Sequence, residues 1–132
     1  MVLRTTRSLL VAAAGLAALA ACHPGGVRRP LQVTPVSVAL GDSLFNHGAC
    51  QRCHGKDGIG AQNAPALDGK KWLQLKTGSY DEIVKIITDG VPQAAIKDPA
   101  HRSAMRSRGG PMNLTDAQVQ AVAAYVWTLT HK

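Results

Sequence analysis

Cys50-Gln51-Arg52-Cys53-His54 sets two thiols three residues apart and an imidazole directly behind the second. This C-x-x-C-H spacing is the attachment signature of a c-type haem. The two thiols reach the two vinyl groups of one porphyrin and form thioether bonds. The histidine that follows projects toward the iron as the proximal ligand. One turn of helix and its exit can present all three groups. Other chemistries fit the same residues less well. A redox dithiol expects a βαβ setting, which the sequence lacks. A zinc site needs a second cysteine pair or finger-spaced histidines, and neither is present. A disulfide between Cys50 and Cys53 is strained at that separation. A single motif points to one covalent haem c and excludes a multihaem design on this chain.

Three helices are expected to position these groups. The first runs from about Val38 to Cys53 and carries Leu40, Gly41, Leu44 and Phe45 on adjacent stripes. The second opens at Ser79, where Ser79-Tyr80-Asp81-Glu82 reads as a capping box. Tyr80, Ile83, Val84 and Ile87 follow at helical spacing, and Gly90 and Pro92 close it. The third opens at Thr115, where Thr115-Asp116-Ala117-Gln118 is again a capping box. Val122, Tyr125, Val126 and Leu129 form its stripe. No segment alternates as a strand, so the fold class is all-α. Two long irregular stretches remain, about Gly55 to Gly78 and Val91 to Asn113. Loops of this length are uncommon in a compact domain unless functional, and a haem covered by both would hold them. Trp72, Trp127, Tyr80, Tyr125 and Phe45 are all the aromatics. A core so poor in bulky side chains gains from wrapping a large apolar group.

The start of the chain reads differently. Arg4 and Arg7 precede an unbroken apolar and small-residue run, Leu9 to Ala21. That run is too short to span a bilayer, which takes about 20 residues, and fits a secretory signal over residues 1–21. It ends Leu19-Ala20-Ala21-Cys22, similar to a bacterial lipobox in which Cys22 carries lipid. Residues 22–37, with Pro24, Gly25, Gly26, Pro30 and Pro35, read as a flexible tether of roughly 20 Å span. Residues 38–132 form the domain. The expected location is the periplasmic side of a bacterial membrane, held by the lipid on Cys22. Without Arg4 and Arg7 the chain keeps 13 basic against 8 acidic residues. That mild excess comes with no nucleic-acid motif, and no nucleic-acid partner is expected.

Gly41-x-x-Leu44-Phe45 ahead of Cys50-Gln51-Arg52-Cys53-His54-Gly55, then Asn63-Ala64-Pro65-Ala66-Leu67-x-Gly69, resembles the small monohaem class I cytochromes c. Leu114-Thr115-Asp116-Ala117-Gln118-Val119 through Ala123-Ala124-Tyr125-Val126 is similar to the last helix of that family. The resemblance covers about Val38 to Leu129. One departure is the gap from Phe45 to Cys50, a residue longer than usual, with Gly48 the place to absorb it. The resemblance implies a small cytochrome c-like fold in which first and last helices cross closely at Gly41 and Tyr125. It also implies that the carbonyl of Pro65 accepts a hydrogen bond from His54 and so fixes its tautomer.

The resemblance further implies a methionine as sixth ligand. Met105-Arg106-Ser107-Arg108-Gly109-Gly110 stands where relatives commonly read M-P-P-x-G-G ahead of L-[ST]-D, with Arg106 and Ser107 replacing the prolines. Met105 is therefore the expected distal ligand. Met112, three residues before Thr115, His101 and His47 are the alternatives. Arg52, Lys56, Lys70, Lys71 and Lys76 lie close in sequence to the haem motif, either as a ring that steers an acidic partner or as ordinary surface. A methionine lid closes iron to substrates, and no acid–base pair stands beside it. The expectation is an electron carrier between redox partner proteins, not an enzyme. The alternative is a dedicated cytochrome subunit of a periplasmic dehydrogenase or oxidase complex.

Overall fold

The computed structural model describes residues 28–132. The leader-like run and Cys22 lie outside the described residues, as does the first part of the expected tether. Among the described residues there are four α-helices: α1 (Pro35–His47), α2 (Cys50–His54), α3 (Tyr80–Asp89) and α4 (Asp116–Thr130). Short 3-10 turns fall at Lys56–Gly58, Gln93–Ala95 and Ser107–Met112. Among the described residues there is no strand, only isolated antiparallel bridges at Ala61–Ala64 and Val91–Met105. No described helix is long and apolar enough to cross a membrane.

Helix α1 starts before Val38, because Thr34 and Ser37 make a reciprocal capping box with Pro35 at the first turn. Proline suits that position, since its missing N–H has no partner there anyway. Residues 35–37, expected to close the tether, are therefore the first turn of a helix, and Val33 just ahead of it is buried. The single helix expected from Val38 to Cys53 is two helices. It stops at His47, and Gly48 is extended (φ −105°, ψ −163°) before α2 begins. The break falls within the Phe45–Cys50 stretch that the resemblance reads as a residue longer than usual.

Helix α4 is the spine of the core, with Val119 and every residue from Ala121 to Trp127 buried. It packs against α1 on one side and α3 on another. The α1 crossing needs Gly41. A Cβ there would overlap the Ala121 carbonyl and come within 2.8 Å of Tyr125 Cβ. Tyr125 then reaches back to the other end of the crossing. Its hydroxyl accepts from Asn46 Nδ2 at 3.0 Å and donates to Asp57 Oδ1 at 3.3 Å. Asn46 Oδ1 also accepts the Asp57 amide at 2.8 Å. Helix α3 buries Tyr80, Ile83 and Ile87, and Tyr80 donates to the Gln120 carbonyl at 3.1 Å.

Both predicted caps sit where expected, with one difference. At Thr115 the box is complete. At Ser79 the hydroxyl accepts the Glu82 amide, but the Glu82 carboxylate turns to the Thr77 and Gly78 amides, each at 2.9 Å. That carboxylate therefore ties the end of the Gly55–Gly78 loop to α3. Thr115→Ala should lower stability by about 1 kcal/mol, the usual worth of a cap. The thermal midpoint of the haem-loaded protein should fall while its visible spectrum stays the same. An unmoved midpoint would mean that the packing of α4 alone defines its start.

Candidate haem site

The attachment residues occupy the whole of α2, with Cys50 first and His54 last. The helix ends at Gly55, whose φ of +74° favours glycine. From there the chain folds back on His54. The Gly60 amide donates to the His54 carbonyl at 2.7 Å, the Ala61 amide to Ala64 at 3.0 Å and the Leu67 amide to Gly58 at 2.8 Å. This reversal brings the Pro65 carbonyl to 3.2 Å from His54 Nδ1. An N–H at Nδ1 donated to that oxygen leaves Nε2 with a free lone pair, which a metal ligand requires. Enclosure in the wall pushes the His54 imidazole below its usual pKa, against the Pro65 carbonyl, which pulls the other way. His101, also on the cavity wall, adds to the downward push. Burial raises the Cys50 thiol.

Cys50, Cys53 and His54 line one cavity of about 600 Å³, and Met105 lines it too. The remaining wall is largely apolar, including Trp72, Leu75, Ile83 and Ile87. That size and character suit one large apolar group. The two thiols are free, and no buried side-chain polar atom is left unpartnered among the described residues. The donor set fits a covalent haem. No cluster of three or more His, Cys, Asp or Glu residues that could hold a metal ion by itself occurs among the described residues.

The second long loop positions Met105. Its backbone forms a two-bond bridge with Val91, 2.7 and 2.9 Å. Gly90 makes room for this strand-like pair, since a Cβ there would sit 2.5 Å from the Met105 carbonyl. Met112 points elsewhere. Its Sδ accepts the Ala49 amide at 3.0 Å, and it does not line the cavity. His101 is on the wall, with Nδ1 held 2.7 Å from Asp98 Oδ2. His47 is exposed, pairs with the Ser43 carbonyl and does not line the cavity. Of the five cationic residues near the motif, all are exposed, and Arg52 and Lys71 reach the cavity wall.

Two contributors escaped sequence reasoning. Asn46 carries no motif, yet it joins α1, α4 and the turn after α2. Arg108 (φ +49°) anchors the end of the Met105 loop through the Leu114 carbonyl at 2.9 Å and Asp116 at 2.7 Å. A basic residue two before Gly110 gave no signal of either bond.

The sequence matches the family model Cytochrome c over residues 38–130. It is 36% identical over 99 residues to the cbb3-type cytochrome c oxidase subunit FixP of Sinorhizobium medicae (strain WSM419), covering 75% of this chain and 32% of that one. The same subunit from Bradyrhizobium diazoefficiens is 30% identical over 115 residues, covering 87% and 38%. The chain thus spans about a third of the length of the curated relatives it matches. Among solved structures, cytochrome cL of Methylophaga aminisulfidivorans superposes with a TM-score of 0.55 at 25% identity, covering 74% of this chain and 59% of that one. The helical order, the wall that gathers both thiols with His54, and these matches lead to one assignment: the chain belongs to the cytochrome c family, small all-α electron carriers that hold haem c covalently.

Proposed function

We propose that this chain is a one-electron carrier at the periplasmic face of a bacterial membrane, with His54 and Met105 as axial ligands and a lipid on Cys22 as its anchor. The observation that carries the ligand assignment is that Cys50, Cys53, His54 and Met105 line one cavity while the Met112 sulfur is engaged outside it. A haem held there supplies an iron that alternates between ferric and ferrous states. The chain's own part is positional. Cys50 and Cys53 fasten the group, Pro65 orients His54, and the apolar wall excludes water. A thioether from Met105 favours ferrous iron and raises the potential. Arg52 and Lys71, exposed at the cavity wall, suit an acidic patch on a redox partner. The test is acid–acetone extraction of protein matured with haem, followed by redox titration. Haem should stay on the polypeptide and titrate as a single one-electron step. Haem recovered in the organic layer would defeat the assignment.

The anchor has its own test. Cys22→Ala should turn a detergent-requiring protein into one found wholly in the soluble periplasmic fraction. An unchanged membrane fraction would count against lipid on Cys22. A second reading, a fixed cytochrome subunit of an oxidase or dehydrogenase, is favoured by the relatives described as oxidase subunits. Native purification separates the two, since a fixed subunit leaves the membrane with its complex and a shuttle leaves it alone.

A further inference from the structure

Helix α2 lacks the reciprocal capping used by α1 and α4. At Thr34 and Thr115 the cap residue's own amide is satisfied by a side chain three residues on, Ser37 Oγ at 2.9 Å and Gln118 Oε1 at 3.0 Å. In α2 the corresponding residues are Ala49 and Arg52, and neither side chain can accept a hydrogen bond. The Ala49 amide donates instead to Met112 Sδ at 3.0 Å, across 63 residues of sequence. Gly48 provides the slot. A Cβ there would lie 2.6 Å from Met112 Sδ. Met112 also ends the 3-10 turn that follows Met105.

We propose that Met112 is a positioning residue that clamps the attachment helix to the loop bearing the distal ligand. Its sulfur ties the start of α2, which carries Cys50, Cys53 and His54, to the end of the segment that starts at Met105. The clamp limits how far the two ligand-bearing segments can part. The inference rests on Met105 as ligand, and the experiment separates the two. Met112→Leu keeps apolar volume and removes the acceptor. Gly48→Ala keeps the methionine and closes its slot, with the new Cβ also against the Leu44 carbonyl at the end of α1, so it supports the clamp only in agreement with Met112→Leu. The readouts are hydrogen exchange at the Ala49 amide and the rate at which added imidazole displaces the thioether from ferric iron. Loss of one hydrogen bond should raise each by roughly three- to tenfold in both variants, with the near-infrared sulfur-to-iron band retained before imidazole is added. An unchanged Ala49 exchange, or an unchanged displacement rate, in the two variants overturns the clamp. Loss of the band in Met112→Leu makes Met112 the ligand and overturns it as well. If wild type itself shows no band, the Met105 assignment fails, and the Ala49 exchange still decides whether Met112 caps α2.

Discussion

Replacing Cys50 and Cys53 together by alanine is expected to give a chain with no haem on a denaturing gel and no cooperative fold. The reason lies in the volume the fold encloses. Empty space in a protein core costs on the order of 24 cal/mol per Å³. Even a third of the 600 Å³ cavity, left unfilled, would on that scale cost about 5 kcal/mol, the low end of the roughly 5–15 kcal/mol that holds a typical domain together. The core has little to set against this. Five aromatics serve the whole chain, and three of them, Phe45, Tyr125 and Trp127, already pack along α1 and α4. Both long loops contribute to the cavity wall and would lose their common support. Circular dichroism of the haem-free variant should show most helix lost at room temperature. A cooperative melt near that of the loaded wild type would refute the argument.

Met105→Ala is expected to abolish the near-infrared sulfur-to-iron band and leave the iron high-spin or bound to water. The potential should fall by on the order of a hundred millivolts or more, within the roughly 0.8 V that axial ligands span. The change is confined to the side chain, because the bridge to Val91 is made by backbone atoms and alanine keeps it. The loop from Val91 to Asn113 should also become more sensitive to protease, since one of its attachments is gone. Met112→Ala should retain the band. If Met112→Ala removes the band and Met105→Ala does not, the register of the distal loop is wrong. If the wild type shows no such band, His101, the remaining imidazole on the cavity wall, becomes the leading candidate, and an iron open to substrates must be considered.

What the sequence revealed follows the range of the interaction. The caps at Ser79 and Thr115 are local patterns, and both lie where their residues put them. The thiols and imidazole of α2 are equally local. The start of α1 was misplaced because Pro30 and Pro35 weighed as linker, whereas Pro35 is the first helical residue behind a Thr34–Ser37 box. Spacing could not show the break after His47, because a glycine inside an apolar pattern is compatible with a continuing helix. Only the family resemblance marked the gap from Phe45 to Cys50 as a residue longer than usual. The bonds that set the distal wall were out of reach. Val91 with Met105, and Ala49 with Met112, pair residues that no local rule connects.

The crossing of α1 and α4 has a temporal side. Gly41 and its contacts on Ala121 and Tyr125 lie far apart along the chain. Contacts so distant along the chain form late, since a long loop must close before they return any energy. Until Asp116–Thr130 docks, α1 lacks its main partner and the core cannot assemble. Through that interval Cys50, Cys53 and His54 lie on an open chain, within reach of whatever attaches the haem. Late closure of this crossing thus leaves a window in which covalent modification can precede folding.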